Sequence, residues 1–282
     1  KIIKMKTAEL NTEYLLYDED CPLCAWYTRV FVKFGFIQGQ TRMSYQEAIK
    51  EDQLLFDRER AKSEIAFVAK GKDTLYGVDS MINVIGKKWT TLSFICRFFA
   101  IYWILQLLYR FISFNRKIIA PTVCGSACSC TPQFNLFWRI AFIAFCGLMT
   151  YILVGSYFNN ELSTFLKYDH FSFEFALFLG QLVFQALAFK LLKQRDLFTY
   201  LGHVAFLSLL GAIALGGAEV VLTVLESFNV ELGLLPSFIF GAVVALMLVE
   251  HSRRVKLLGM SAWLTVSLVV FRIIIYPFVF IY

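Results

Sequence analysis

Apolar residues change their rhythm along this chain. Up to residue 88 they come in short bursts between charged positions, and from Phe137 onward they form long runs broken by short polar links. Residues 14–17 are a β-prone run. Trp26, Val30, Phe31 and Phe34 then recur at helical spacing. Residues 42–45 read as a second strand and 46–56 as a helix. Residues 64–69, the turn Lys70-Gly71-Lys72-Asp73 and residues 74–78 read as a hairpin, followed by a helix over 79–88.

Five later runs, 137–158, 171–192, 198–221, 232–249 and 257–281, each approach the roughly 20 residues that cross a hydrocarbon layer of roughly 30 Å. Lys190, Lys193 and Arg195 join the second run to the third, while Arg253, Arg254 and Lys256 join the fourth to the fifth. Basic loops stay on the cytoplasmic side, so the N-terminal domain is expected inside and the C-terminus outside, at a bacterial inner membrane. The stretch LSFICRFFAIYWILQLLYRFI, residues 92–112, is apolar but interrupted by Arg97, Gln106 and Arg110. It reads as helices along the inner membrane surface, with Arg97, Arg110, Arg116 and Lys117 meeting lipid headgroups, or as a closing helix of the first domain. The expected organisation is an α/β domain over 12–90, an interfacial helical and cysteine-rich linker over 91–136, and an all-α polytopic membrane domain of about five helices over 137–282.

Composition supports that division. Hydrophobic residues make up 58% of the 282, with 30 phenylalanines, beyond what one soluble domain carries. The net charge of +6 is concentrated at the loops, which explains it without nucleic acid. No cleavable signal peptide is expected, because the first apolar run is too short for one.

The candidate chemistry lies in YDEDCPLCAWY, where Cys21 and Cys24 follow the first strand and open the first helix. In a reducing cytosol such a pair is catalytic or metal-binding rather than a static disulfide. The order βαβα then ββα is the thioredoxin arrangement, which carries its dithiol at this first strand-to-helix turn. Pro22 suits the first helical turn. Cys21, at the helix N-terminus, can expose its sulfur to free backbone N–H groups and act as nucleophile, with Cys24, more buried, as resolving thiol. The acidic Asp18, Glu19 and Asp20 oppose thiolate formation, and Asp18 can instead take the Cys24 proton.

Asp18, Cys21 and Cys24 reproduce an Asp-x-x-Cys-x-x-Cys signature, and TLYGVDSMINVI and LLYRFISFNRKI follow later. With these, residues 12–120 resemble the DCC family of thiol–disulfide oxidoreductases, a thioredoxin-like group. The resemblance implies thiol–disulfide exchange and no particular substrate. Two departures stand out. Glu19 occupies a position where the family often has Gly, and no proline precedes EIAFVA, where thioredoxins carry a cis-Pro that helps bind substrate, here around Ser63 and Glu64.

Cys124, Cys128 and Cys130 form a second cluster, open to three readings: a thiol relay, a zinc or iron–sulfur site shared with Cys21 and Cys24, or small residues in a tight linker. Beyond residue 137 only Cys146 remains, which argues against a thiol relay across the membrane. Glu174, Glu219 and Arg272 fall inside the apolar runs, where Arg272 can pair with Glu219 or Glu174 and either lock helices together or line a polar path. His203 and Glu250 read as interfacial residues in reach of water, and Gly211, Gly216, Gly217 and Gly241 as close helix contacts. No nucleotide or haem motif is present. The expected function is a membrane-tethered thiol–disulfide oxidoreductase whose cytoplasm-facing dithiol, without further cofactor, acts on a membrane-associated protein. Its partners are then membrane lipid and protein, with no nucleic acid. The alternative is a non-catalytic subunit of a larger membrane complex, with the thioredoxin-like domain as docking surface.

Overall fold

The structure is a computed structural model that describes residues 13–51, 54–122, 134–162 and 170–281, without the side chains of residues 170–174 and 276–281. It divides into two compact units, residues 1–135 and 136–282.

In the first unit, strand β1 (Glu13–Tyr17) leads into helix α1 (Pro22–Lys33), which has Pro22 in its first turn. Strand β2 (Arg42–Ser44) passes directly into α2 (Tyr45–Ala48) through a capping box, the Ser44 hydroxyl accepting from the Glu47 amide and the Glu47 carboxylate from the Ser44 amide. Helix α3 (Arg58–Ser63), strands β3 (Ala66–Ala69) and β4 (Leu75–Tyr76), and helix α4 (Val78–Gly86) complete the order. The strands lie as β2-β1-β3-β4, with β1 parallel to β2 and antiparallel to β3, and β3 antiparallel to β4. This is the thioredoxin-like sheet that the pattern predicts.

Side chains cover both faces of that sheet. Leu15, Phe36, Ile37, Ile65, Phe67 and Val84 pack on one side, and Leu16, Tyr45, Ala48, Ala66 and Val68 on the other. A strand buried on both faces loses its polar alternation, as β3 does with all four residues inside. The buried Ser80 hydroxyl accepts from the Phe67 amide at 3.1 Å and donates to the Leu75 carbonyl at 2.6 Å, tying α4 to the hairpin. Ser80→Ala removes the buried hydroxyl that joins these two groups, at an expected cost of about 1–3 kcal/mol. The check is hydrogen exchange at the Phe67 amide in the full chain, where an unchanged protection factor contradicts this role.

Two elements differ from the pattern. The helix expected over 46–56 is only α2, because charged and polar residues follow Ile49 where an apolar face would have to continue. Helix α3 was not expected. Its sequence RERAKS offers one apolar residue, Ala61, and its cue is the Asp57 carboxylate, which caps the Arg60 amide.

Beyond α4, α5 (Thr90–Cys96) and α6 (Phe99–Ile119) meet at an 84° bend. The Tyr102 hydroxyl contacts the Asp79 carboxylate at 3.1 Å, the Tyr109 hydroxyl accepts from the Ile65 amide at 2.9 Å, and the Ser113 hydroxyl donates to the Ser63 carbonyl at 2.8 Å. Gly77, at φ 58°, admits no side chain here, since a Cβ would stand 3.1 Å from both the Glu64 carboxylate and the Tyr109 ring. The later part of α6 thus closes the first unit. Arg116, expected at lipid headgroups, is buried in that closure instead. Phe94, Phe98, Phe99, Trp103 and Leu108 stay exposed.

The second unit is helical: α7 (Leu136–Glu161), α8 (His170–Leu191), α9 (Leu197–Ser227), α10 (Leu235–Leu257) and α11 (Trp263–Ile281). α7, α9 and α10 are long and apolar enough to cross a membrane, and the bent α5–α6 pair passes as one further span. The described parts of α8 and α11 are shorter, so the candidate spans number three to four and the expected five is approximate. Tyr157, Phe158, Ala212, Leu215 and Val243 form one core, and Phe189, Tyr200, Val204 and Leu264 another. Gly211 lies against Met247 and Gly216 against Leu153, as close helix contacts require, whereas Gly217 and Gly241 face open space.

Candidate dithiol site

Cys21 is the N-cap of α1, and its sulfur accepts the Cys24 amide at 3.3 Å. Its own amide bonds the Asp18 carbonyl at 3.3 Å, which turns the chain sharply from β1 into the helix. The orphan N–H groups of a first helical turn are suited to a thiolate. A hydrogen bond from the Cys24 side chain lowers the Cys21 thiol to about 7; burial opposes it, and the Cys24 amide and Arg116 add to it. The same hydrogen bond, followed by burial, pushes the Cys24 thiol far above its ordinary value. Both cysteines are 5% exposed, so the expected contrast of an open Cys21 and a buried Cys24 is absent. The difference between them is electrostatic.

Arg116 arrives from the far end of α6. Its Nη2 donates to the Asp18 carboxylate at 3.0 Å and to the Lys62 carbonyl at 2.9 Å, while Nη1 donates to the Ser63 carbonyl at 3.4 Å and lies 3.9 Å from the Cys24 sulfur. Arg116 and Asp18 expose 6% and 4% of their side chains, so this ion pair is shielded from water. Burial raises the Asp18 carboxyl pKa, opposed by Arg116 and by the Asp20 amide, which donates to Asp18 at 3.1 Å. The Thr122 hydroxyl donates to the Asp20 carbonyl at 2.9 Å and holds the acidic loop from the other side. Burial, then the Cys24 sulfur, holds the Tyr27 phenol well above its usual range.

The Lys62–Ser63 segment leads into β3, at the place where thioredoxins carry a cis-Pro and this sequence has no proline. No cis peptide occurs among the described residues, and the Lys62 and Ser63 carbonyls are engaged by Arg116 and Ser113. Arg116 is the site residue that sequence reasoning assigned elsewhere. Its signal was the series Tyr109, Ser113 and Arg116, at positions i, i+4 and i+7 of α6, which places all three on one face.

Cys124, Cys128 and Cys130 fall outside the described residues, as does the Glu174 side chain. Among the described residues no group of three or more His, Cys, Asp or Glu side chains is arranged around a metal position. Glu219 does not lock onto Arg272. Its carboxylate accepts from Ser156 at 2.7 Å and Asn160 at 2.6 Å, because α7 packs directly on α9. His203 is no interfacial residue either: it is 3% exposed, with its Nδ1 3.0 Å from the Arg254 guanidinium. Glu250 in turn holds Arg253 and Arg254.

Residues 15–120 match the family model of the DCC1-like thiol-disulfide oxidoreductases. No curated protein and no solved structure matches the chain. The matched segment begins in β1 and ends just past α6, so it contains Asp18, Cys21 and Cys24 together with Arg116. Residues 15–120 are therefore a DCC1-like thiol-disulfide oxidoreductase domain, on a chain whose later helices are apolar enough to span a membrane.

Proposed function

We propose that this protein is a membrane-tethered protein thiol–disulfide oxidoreductase in which Cys21 attacks and Cys24 resolves. The observation that carries the reading is the opposite tuning of two adjacent sulfurs, Cys21 held down to about 7 and Cys24 pushed up. A Cys21 thiolate attacks one sulfur of a substrate disulfide; that S–S bond breaks, a mixed disulfide forms and the substrate's other sulfur leaves as thiolate. Cys24 then loses its proton to the Asp18 carboxylate, whose affinity for protons burial increases. Arg116, 3.9 Å from the Cys24 sulfur, stabilises the charge that develops there. Attack of Cys24 on the Cys21 sulfur releases the second substrate thiolate, leaving substrate reduced by two electrons and the Cys21–Cys24 pair oxidised. Reversal oxidises a substrate dithiol. The basic loops around Lys190, Lys193, Arg195 and Lys256 support a cytoplasmic placement of the dithiol, acting on a membrane-associated protein.

One observation favours the alternative of a non-catalytic docking subunit. Both sulfurs are covered, and the carbonyls before β3 that an incoming chain would use are bonded to Arg116 and Ser113. The pH dependence of Cys21 alkylation separates the two readings. With iodoacetamide and peptide-level mass spectrometry on the reduced full chain, the rate is expected to rise with pH to a midpoint near 7 and to fall about tenfold per pH unit below it. A midpoint at the roughly 8.5 of an ordinary thiol contradicts the oxidoreductase reading. The sign carries over to stability. A thiol with a lowered folded-state pKa adds stability to the reduced fold that is complete above its unfolded pKa and is lost as pH falls through about 7.

A further inference from the structure

The second unit has a partly open cavity of about 630 Å³ between its own helices, a size that suits one small ligand. Most of its wall is apolar, including Phe158, Leu207, Leu215, Val243 and Met247. Two polar side chains on that wall are buried without hydrogen-bond partners. Gln181 is 3% exposed, and neither its amide nitrogen nor its oxygen is paired; Thr150 is 9% exposed with its hydroxyl unpaired. Leaving such groups unpaired in an apolar interior costs about 1–3 kcal/mol each, so a hydrogen-bonding ligand is the natural complement. Among the described lining residues the one charge is Arg272, and no carboxylate faces it from that wall. Of the two acids expected to neutralise Arg272, Glu219 is bonded to Ser156 and Asn160 instead, and the Glu174 side chain lies outside the described residues.

We propose that this cavity binds a single-chain lipid carboxylate, with its tail along the apolar wall and its acidic head held by Gln181, Thr150 and Arg272. A wall of Phe, Leu, Val and Met side chains suits an acyl chain. The amide N–H, the hydroxyl and the guanidinium are all donors, and a carboxylate accepts from each. The site is independent of the dithiol reading.

The test uses the full chain in phosphatidylcholine nanodiscs and a sixteen-carbon fatty acid carrying a photoreactive diazirine midway along its chain. Crosslinks are expected on the inward residues of α9 and α10, such as Leu207, Leu215 and Val243, and to be competed by unlabelled fatty acid. Gln181→Leu and Arg272→Gln are each expected to raise the half-saturating concentration about tenfold, and the methyl ester of the probe is expected to bind the unaltered protein about tenfold more weakly than the acid. Gln181→Leu removes an unpaired buried amide at nearly constant volume, so it should leave thermal unfolding of the ligand-free protein unchanged or shifted upward. The ester comparison needs no variant at all. Crosslinks confined to outward residues such as Val220, Val224 and Val249, or equal binding of acid and ester, overturn the proposal. So does undiminished labelling in both variants.

Discussion

Replacing Cys24 with Ser arrests exchange at the mixed disulfide, so a covalent adduct with the substrate protein should accumulate in membranes isolated without reductant. The attacking sulfur is intact in that variant, and Cys21 still accepts the residue-24 backbone amide at the helix N-terminus. What is lost is the second thiol that frees it. Cys21→Ser removes the attacking sulfur itself, and disulfide exchange is expected to fall by roughly a thousandfold or more, because a serine hydroxyl at neutral pH supplies no comparable nucleophile. The adduct seen with Cys24→Ser must vanish when Cys21 is also replaced. Non-reducing electrophoresis followed by peptide mapping checks both outcomes, and the mapped peptide must contain residue 21 rather than the exposed segment around Cys96. An adduct that survives the double replacement, or exchange that persists in Cys21→Ser, removes Cys21 from its assigned role.

Arg116→Met should weaken the fold and the chemistry together. The substitution leaves the Asp18 carboxylate buried with the Asp20 amide still donating to it, and removes the guanidinium bonds to the Lys62 and Ser63 carbonyls. Breaking a buried ion pair by removing one partner costs about 3–5 kcal/mol. Asp18→Asn, which takes the carboxylate charge away from the buried guanidinium instead, should cost a similar amount. The double variant Asp18→Asn with Arg116→Met should cost clearly less than the sum, since it buries no lone charge. Hydrogen exchange at β1 and β3 amides in the full chain reads these differences. The alkylation midpoint of Cys21 should also move up in Arg116→Met, because Arg116 is among the groups that lower it. Arg116→Lys should not restore the site, since a single ammonium cannot reach a carboxylate and two carbonyls at once as the planar guanidinium does. Additive costs in the double variant, with an unmoved midpoint, would show Asp18 and Arg116 to be independent.

What the sequence revealed followed the strength of each local signal. β1, the hairpin and α4 carry dense apolar runs between turn residues, and the Cys21-Pro22 junction marks the start of α1 without ambiguity. α3 has one buried residue in six and could be found only through its Asp57 cap. Asp18, Cys21 and Cys24 were visible because they are neighbours in the chain. Arg116 was hidden because its partners are remote and because an arginine near an apolar stretch reads equally well as a headgroup contact. His203 failed for a related reason: its burial depends on Arg254, 51 positions later, which no local pattern connects to it. Arg272 and Glu219 were reasonable partners by charge, yet Ser156 and Asn160, short polar residues with no charge to flag them, hold Glu219 instead.

The span of chain between Asp18 and Arg116, 98 positions, also sets an order of events. The segments of β1, the turn and α1 precede the rest of the sheet in the chain and carry both thiols. The guanidinium that completes the charge environment of those thiols emerges only after the sheet, the hairpin and almost all of α6, and closing so long a loop must await the contacts that reward it. A nascent chain therefore carries its cysteine pair, through most of synthesis, without the buried ion pair beside it. The share of the Cys21 shift that Arg116 adds to that of Cys24 arrives only with the last turn of α6, when there is already a folded sheet to confine it.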